Sequence, residues 1–205
     1  MSKQMIGLVR HGLTDWNALG KIQGQTDIPL NDVGRKQAGL LAERLVRELH
    51  PFDAVVSSGL QRAEETAQII ANRLHIPLLH PVDGLRERSY GLAEGTTPEE
   101  REERWGADWR QCDLGQETDE VLQKRSYQTL NMIADRYSHQ NVLLVTHGAW
   151  LAQLFKVILD EDVKGHINNL SYSMLERTEQ GWNPILFNCT KHMQPSDDFV
   201  LLQKP

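Results

Sequence analysis

Two apolar blocks, far apart in the chain, end in the same way. The run that begins at Met5-Ile6 and reaches Leu8-Val9 passes into Arg10-His11-Gly12. Val142-Leu143-Leu144-Val145 passes into Thr146-His147-Gly148. A short apolar block that stops at polar residues and a glycine reads as a buried strand leaving a sheet. In open α/β sheets, ligands bind outside the carboxyl ends of the strands. One histidine at such an exit means little, whereas two in equivalent places indicate a paired site.

Helical and strand signals alternate around these blocks. Leu13–Thr26 reads as a long polar loop with room for one helical turn. Asn31 is an N-cap for a helix that Pro51 stops, with Ala38, Leu41, Ala42, Leu45, Val46 and Leu49 on its inner face. A strand follows over Asp53–Ser57. Ser58 and Gln61 fit a capping box for the next helix, whose inner stripe is Leu60, Ala63, Ala67, Ile70 and Leu74. Ile76–Leu79 reads as a short strand and Leu85–Gly95 as a loop. Thr97-Pro98 opens a charged helix running through Arg110, with Trp105 and Trp109 at helical spacing. A longer helix covers Thr118–Ser138, with Leu122, Leu130, Ile133 and Tyr137 inward, and an apolar one covers Ala149–Leu159. Ser171–Leu175 and Trp182–Asn188 read as a hairpin joined at Thr178–Gly181. The pattern predicts a three-layer α/β/α sandwich with a mostly parallel central sheet and one antiparallel strand. A single domain spans 1–205, with the tail from about residue 191 loosely held.

With 22 Lys and Arg against 28 Asp and Glu, the formal net charge is −6. Such a balance argues against nucleic acid or an anionic membrane as partner. No apolar stretch has the length of a signal peptide or a membrane span, so the cytoplasm is the expected location. Cys112 and Cys189 read as ordinary thiols, since they lack redox or metal spacing. None of the eight histidines stands at ligand spacing. No metal and no cofactor are expected. The oligomeric state stays open.

Arg62 falls in the first turn of its helix, where a positive charge opposes the helix dipole at a cost of about 0.3–1 kcal/mol. It either pairs with Glu64 or Glu65 on the surface or meets an anion. Arg10, His11, Arg62 and His147 brought to one mouth of a sheet would form a cationic pocket in an acidic protein. Guanidinium groups suit phosphate oxygens, and the start of the Ala149 helix favours an anion. The loop around Glu87 offers a carboxylic acid. The chain has no phosphate-binding Gly-x-x-x-x-Gly-Lys-Ser/Thr, no His-Glu-x-x-His and no Gly-x-Ser-x-Gly.

An ordered set of motifs also carries a family resemblance. Leu8-Val9-Arg10-His11-Gly12-x-Thr14-x-x-Asn17 resembles the signature of the histidine phosphatase superfamily, the phosphoglycerate-mutase-like proteins. Gln23-Gly24-x-x-Asp27-x-Pro29-Leu30, Ser57-Ser58-x-Leu60-x-Arg62-Ala63-x-x-Thr66-Ala67, Leu85-x-Glu87 through Glu94-Gly95, and Val145-Thr146-His147-Gly148 follow in the family's order. The resemblance implies that His11 attacks phosphorus and carries a transient phosphohistidine. It implies that Arg10, Arg62 and His147 hold the phosphoryl oxygens, and that Asn17, Gln23, Gly24 and Gly148 complete the substrate site. Glu87 is the implied proton donor and acceptor, and no metal is implied. The short, mixed-charge segment between Glu87 and His147 resembles the broad-specificity phosphatase branch. The expected activity is hydrolysis of small phosphomonoesters. Phosphoglycerate mutase is the alternative, because Glu87-Arg88-Ser89-Tyr90-Gly91 resembles a mutase acid loop. A non-catalytic binder of phosphorylated ligands ranks below both. Trp105 and Trp109 either lid the substrate or anchor a helix.

Overall fold

The computed structural model describes residues 3–48, 51–161 and 165–194. Among these residues five strands form one sheet in the order β2-β3-β1-β4-β5: β1 Met5–Arg10, β2 Ala54–Ser57, β3 Val142–Thr146, β4 Tyr172–Thr178 and β5 Gly181–Cys189. β1 and β2 both pair parallel with β3. β4 pairs antiparallel with β1, and β5 antiparallel with β4. The expected mostly parallel sheet with an antiparallel strand beside it is therefore present. Among the described residues six α-helices accompany it: α1 Asp15–Ala18, α2 Asp32–Leu45, α3 Gln61–Leu74, α4 Pro98–Trp105, α5 Asp119–Arg136 and α6 Gly148–Leu159.

The strands' two-residue period sorts their side chains between two cores. Val9, Val55, Leu143 and Val145 pack with Ala38 and Leu41 of α2 and Ala67 and Ile70 of α3. Ile6, Leu8, Val56 and Leu144 pack on the other face with Leu122, Leu130 and Ile133 of α5 and Trp150, Leu154 and Phe155 of α6. Each fully buried Leu or Phe contributes roughly 1.5–3 kcal/mol. A third, smaller cluster joins Ala93, Trp109 and Leu114, with Tyr90 and Trp105 against it.

Several local expectations are corrected. α2 ends at Leu45 and leaves Val46 exposed, while Leu49 lies outside the described residues. The residue capping α3 is Leu60, which makes no side-chain cap, so Ser58 and Gln61 form no capping box. Gln61 donates to Asp27 instead, through its backbone N–H and its amide. Ile76–Leu79 supplies only a single bridge, Leu78 to Val55. α4 stops at Trp105 because Gly106 turns the chain at φ +78°, and Trp109 lies in a separate 3₁₀ turn. Lys191–Met193 forms another 3₁₀ turn, and the tail beyond Gln194 lies outside the described residues. Asn31 and Thr97 cap their helices as expected, donated to by the backbone N–H of Gly34 and Glu100. Cys112 and Cys189 are free thiols. Among the described residues no helix is long and apolar enough to cross a membrane.

Leu130 sits at the centre of the α5 contact with the sheet and has no exposed surface. Leu130→Ala is expected to destabilise the protein by about 2–5 kcal/mol. Leu40→Ala, on the exposed face of α2, is expected to change stability by less than about 0.5 kcal/mol. Urea unfolding of the two variants distinguishes them.

Candidate active site

Parallel pairing brings the two histidine motifs together. Arg10 and Thr146 are register partners at the ends of β1 and β3, so the next residues, His11 and His147, emerge side by side. Their ring centroids lie 5.1 Å apart. The end of β2 leads through Ser57-Ser58 to Arg62 in the first turn of α3. Three neighbouring strands thus deliver both histidines and both arginines to the same sheet edge. A cleft of about 450 Å³ opens there, lined by Arg10, His11, Asn17, Gln23, Arg62 and Glu87 among others, with Gly24 and Gly148 at its wall. His147 is fully buried against His11. All nine residues expected from sequence therefore lie in or beside one cleft. Trp105 and Trp109 do not line it and anchor the third cluster.

The tautomer of His11 follows from its neighbour. Its Nδ1 lies 2.7 Å from the carbonyl oxygen of Gly12, which can only accept. Nδ1 therefore carries the proton, and Nε2 keeps its lone pair. Burial, then the charges of Arg62 and Arg10, hold the His11 pKa well below 6.5 and keep the ring neutral. His147 is held neutral by the same burial and by Arg62. Ser58 Oγ lies 2.7 Å from His147 Nε2. When that hydroxyl donates, His147 carries its proton on Nδ1, a buried atom with no partner in the protein.

The arginines are held by their outer nitrogens. Arg62 Nη1 and Nη2 donate to the carbonyls of Thr26 and Gly24 at 2.8 and 2.7 Å. Arg10 Nη1 lies 2.6 Å from Ile167 O and 2.6 Å from His166 Nε2. Nε of both residues is buried without a protein partner. Burial lowers both pKa values, that of Arg10 to about 10, with Glu87 acting to raise both. Both guanidiniums stay charged at neutral pH. Neither Glu64 nor Glu65 takes Arg62: Glu64 accepts from Ser57, and Glu65 pairs with Arg35.

Glu87 is held by backbone. Its carboxylate accepts from the N–H groups of Arg88, Ala149 and Trp150 at 2.9, 3.2 and 3.1 Å, two of them in the first turn of α6. The nearby arginines are engaged elsewhere, Arg86 with Asp83 and Arg88 with Asp119. Arg125 fixes the loop from α5. It donates to the carbonyls of Gly84, Arg86 and Glu87 while pairing with Glu117. Thr146 Oγ1 donates to Leu85 O and ties the same loop to β3.

Two glycines are required by close approach. A Cβ on Gly148 would stand 3.2 Å from Arg10 Nε and 3.4 Å from its Cζ. Gly24 has φ +53°, and a Cβ there would collide with the Glu94 carboxylate. That carboxylate accepts from the N–H groups of Gln25, Thr26 and Tyr90 and from Thr26 Oγ1, joining the Arg62-holding turn to the acid loop. Thr14 positions the other pair: its hydroxyl caps α1 and donates to Gln23 Oε1 at 2.9 Å.

Sequence reasoning missed Ser58, Thr66, Glu94, Arg125, His166 and Asn169. Thr66 Oγ1 accepts from Gly12 N–H and donates to Arg62 O. Asn169 Nδ2 donates to the carbonyls of His11 and Gly12. Thr66 and Glu94 stood within the family motifs without an assigned task, and Ser58 stood there as a helix cap. His166 and Asn169 lie in a segment with no motif. Among the described residues no group of three or more His, Cys, Asp or Glu could hold a metal ion.

This arrangement has the groups to attack a phosphoryl group, hold its oxygens and protonate a leaving oxygen. The family model of the histidine phosphatase superfamily, branch 1, matches residues 6–190, and the chain belongs to that family. A metal-independent phosphoserine phosphatase of Arabidopsis thaliana is 39% identical over 86% of this chain and 78% of its own. The uncharacterized phosphatase PhoE of Bacillus subtilis (strain 168) is 38% identical over 91% of this chain and 95% of its own. A phosphoserine phosphatase from Entamoeba histolytica, solved with 3-phosphoglyceric acid, superposes with a TM-score of 0.78 at 30% identity. It covers 93% of this chain and 100% of its own.

Two outcomes follow from this geometry. Gly148→Ala forces Arg10 to move and is expected to lower kcat/KM about 10–100-fold, with the unfolding midpoint changing little, as steady-state kinetics will show. The neutral histidines also make stability depend on pH. Their folded pKa values lie below the unfolded value of about 6.5, so the unfolded chain binds more protons in that window and stability falls as pH falls. Each group contributes a slope of up to about 1.4 kcal/mol per pH unit. Urea midpoints at pH 7 and pH 5 are expected to converge partly in His147→Gln.

Proposed function

We propose that this chain is a metal-independent phosphatase that hydrolyses small phosphomonoesters through a phosphohistidine on His11. The carrying observation is the buried, neutral His11, with Nδ1 committed to Gly12 O and Nε2 left as nucleophile beside two charged arginines. In the first step Nε2 bonds to phosphorus and the phosphorus–oxygen bond to the leaving group breaks. The leaving oxygen takes the electron pair and a proton from Glu87. In the second step Glu87 takes a proton from water, whose oxygen bonds to phosphorus, and the nitrogen–phosphorus pair returns to Nε2. Arg10, Arg62 and the Nδ1–H of His147 donate to the phosphoryl oxygens, where charge is spread during transfer. Asn17, Gln23 and Gly148 complete the cradle, and Gly24 holds Arg62 through its carbonyl. Lys21 lines the same cleft and offers a cation to a carboxylate on the substrate. Phosphoserine and 3-phosphoglycerate are therefore the first substrates to test.

His11→Ala is expected to lose at least about 10³-fold in turnover of p-nitrophenyl phosphate with EDTA present. The wild type is expected to yield an acid-labile phosphoenzyme. Activity retained in that variant would rule the reading out. Glu87→Gln should cost about 10²–10⁴-fold on phosphoserine and less on p-nitrophenyl phosphate, whose leaving group needs no proton. Incubation with 3-phosphoglycerate separates the alternative: free phosphate marks the phosphatase, and 2-phosphoglycerate a mutase.

A further inference from the structure

We propose that His166 is a positioning residue whose neutral imidazole holds Arg10 in the phosphoryl site and whose protonation releases it. This rests on the reading of Arg10 as a ligand of phosphoryl oxygens.

A guanidinium only donates, so at 2.6 Å from Arg10 Nη1 the His166 Nε2 must accept. His166 is then neutral, with its proton on Nδ1. Ile167 O takes the second Nη1 proton. Both hydrogens of that nitrogen are committed, which fixes the plane of the guanidinium and leaves Nε for the ligand. The segment carrying His166 is itself tied down. Asn188, at the end of β5 with φ +48°, donates from Nδ2 to His166 O and accepts on Oδ1 from Asn168 N–H. Leu170 N–H donates to Arg10 O. The ring therefore meets Arg10 from an anchored backbone.

A second carbonyl would hold Arg10 equally well at every pH. An imidazole differs because it loses its acceptor on taking a proton. Arg10 is the charged group that acts on His166. Arg62 on α3 and Glu87 and Tyr90 in the acid loop act in turn on Arg10. Burial and Arg10 hold His166 below its usual pKa, but His11 and His147, wholly buried, are pushed further down. A proton on His166 Nε2 removes that acceptor. Two donors and two positive charges then face each other at hydrogen-bond distance, and Arg10 leaves its place.

Sulfate is the probe, because its charge is constant over this pH range and its binding needs no turnover. Sulfate inhibition and kcat/KM would be measured from pH 4.5 to 8.5 in wild type, His166→Gln, His166→Ala and Arg10→Ala. Glutamine offers an oxygen acceptor that does not titrate. His166→Gln is expected within about threefold of wild type at pH 8, with its acid-side decline moved to lower pH. His166→Ala is expected to lose about 10–100-fold in kcat/KM and about tenfold in sulfate affinity at pH 8. An acid limb unmoved in His166→Gln, or sulfate affinity unchanged in His166→Ala, overturns the proposal. If Arg10→Ala leaves sulfate affinity intact, the reading of Arg10 fails; if it weakens binding and the His166 variants do not, only the role of His166 fails. Should the variants not fold, wild-type sulfate affinity can be followed beside the His166 resonance. It is expected to fall as that ring takes its proton, and a flat affinity across that titration overturns the proposal.

Discussion

Two guanidinium groups are buried beside two buried imidazoles, and the surrounding structure makes that tolerable. Desolvating one cation costs several kcal/mol unless its donors are met. Here the donors are met by the carbonyls of Thr26, Gly24 and Ile167 and by the His166 ring. These acceptors are neutral, so they satisfy hydrogen bonds without cancelling charge. Glu87 is the carboxylate that raises both arginine pKa values most. The positive charge remains available, and it adds to burial in depressing the imidazole pKa values. One arrangement therefore secures an attracting field and a neutral imidazole together.

Carboxylates away from the reacting centre hold this arrangement. Glu94 gathers donors from the Gln25-Thr26 turn and from Tyr90, and so joins the segment that grips Arg62 to the loop that bears Glu87. Glu117 holds Arg125, which donates to the carbonyls of Gly84, Arg86 and Glu87. Loops that carry site residues are usually the mobile part of a fold. Here their backbone polar groups are met by buried or half-buried charges.

The elements were legible because strand periodicity and helix caps are local signals, and the residues gathered at the candidate site because they stand in short motifs. Ala54–Ser57, Val142–Thr146 and the caps Asn31 and Thr97 show this directly. The failures have a common cause in tertiary demand. Ser58 has the chemistry of a cap, but its hydroxyl is taken by His147, 89 residues away. Trp105 and Trp109 share a helical spacing that Gly106 interrupts. Arg62 against its helix dipole had two readings, and only the carbonyls of a remote turn decided between them. His166 and Asn169 carried no signal, because their contacts join residues more than 150 positions apart.

The grip of Asn188 on the His166–Asn168 segment has a consequence for the part that β5 plays at the cleft. Arg10 and His11 precede by more than 150 residues the groups at 166–171 that hold them, and that segment is anchored by the end of β5. Domains generally fold as units during synthesis. A nascent chain lacking β5 would present the first strand and its histidine without the anchored partners that shape the cleft. The cleft thus depends on β5, which bears none of its lining residues, as much as on the strands that carry the histidines.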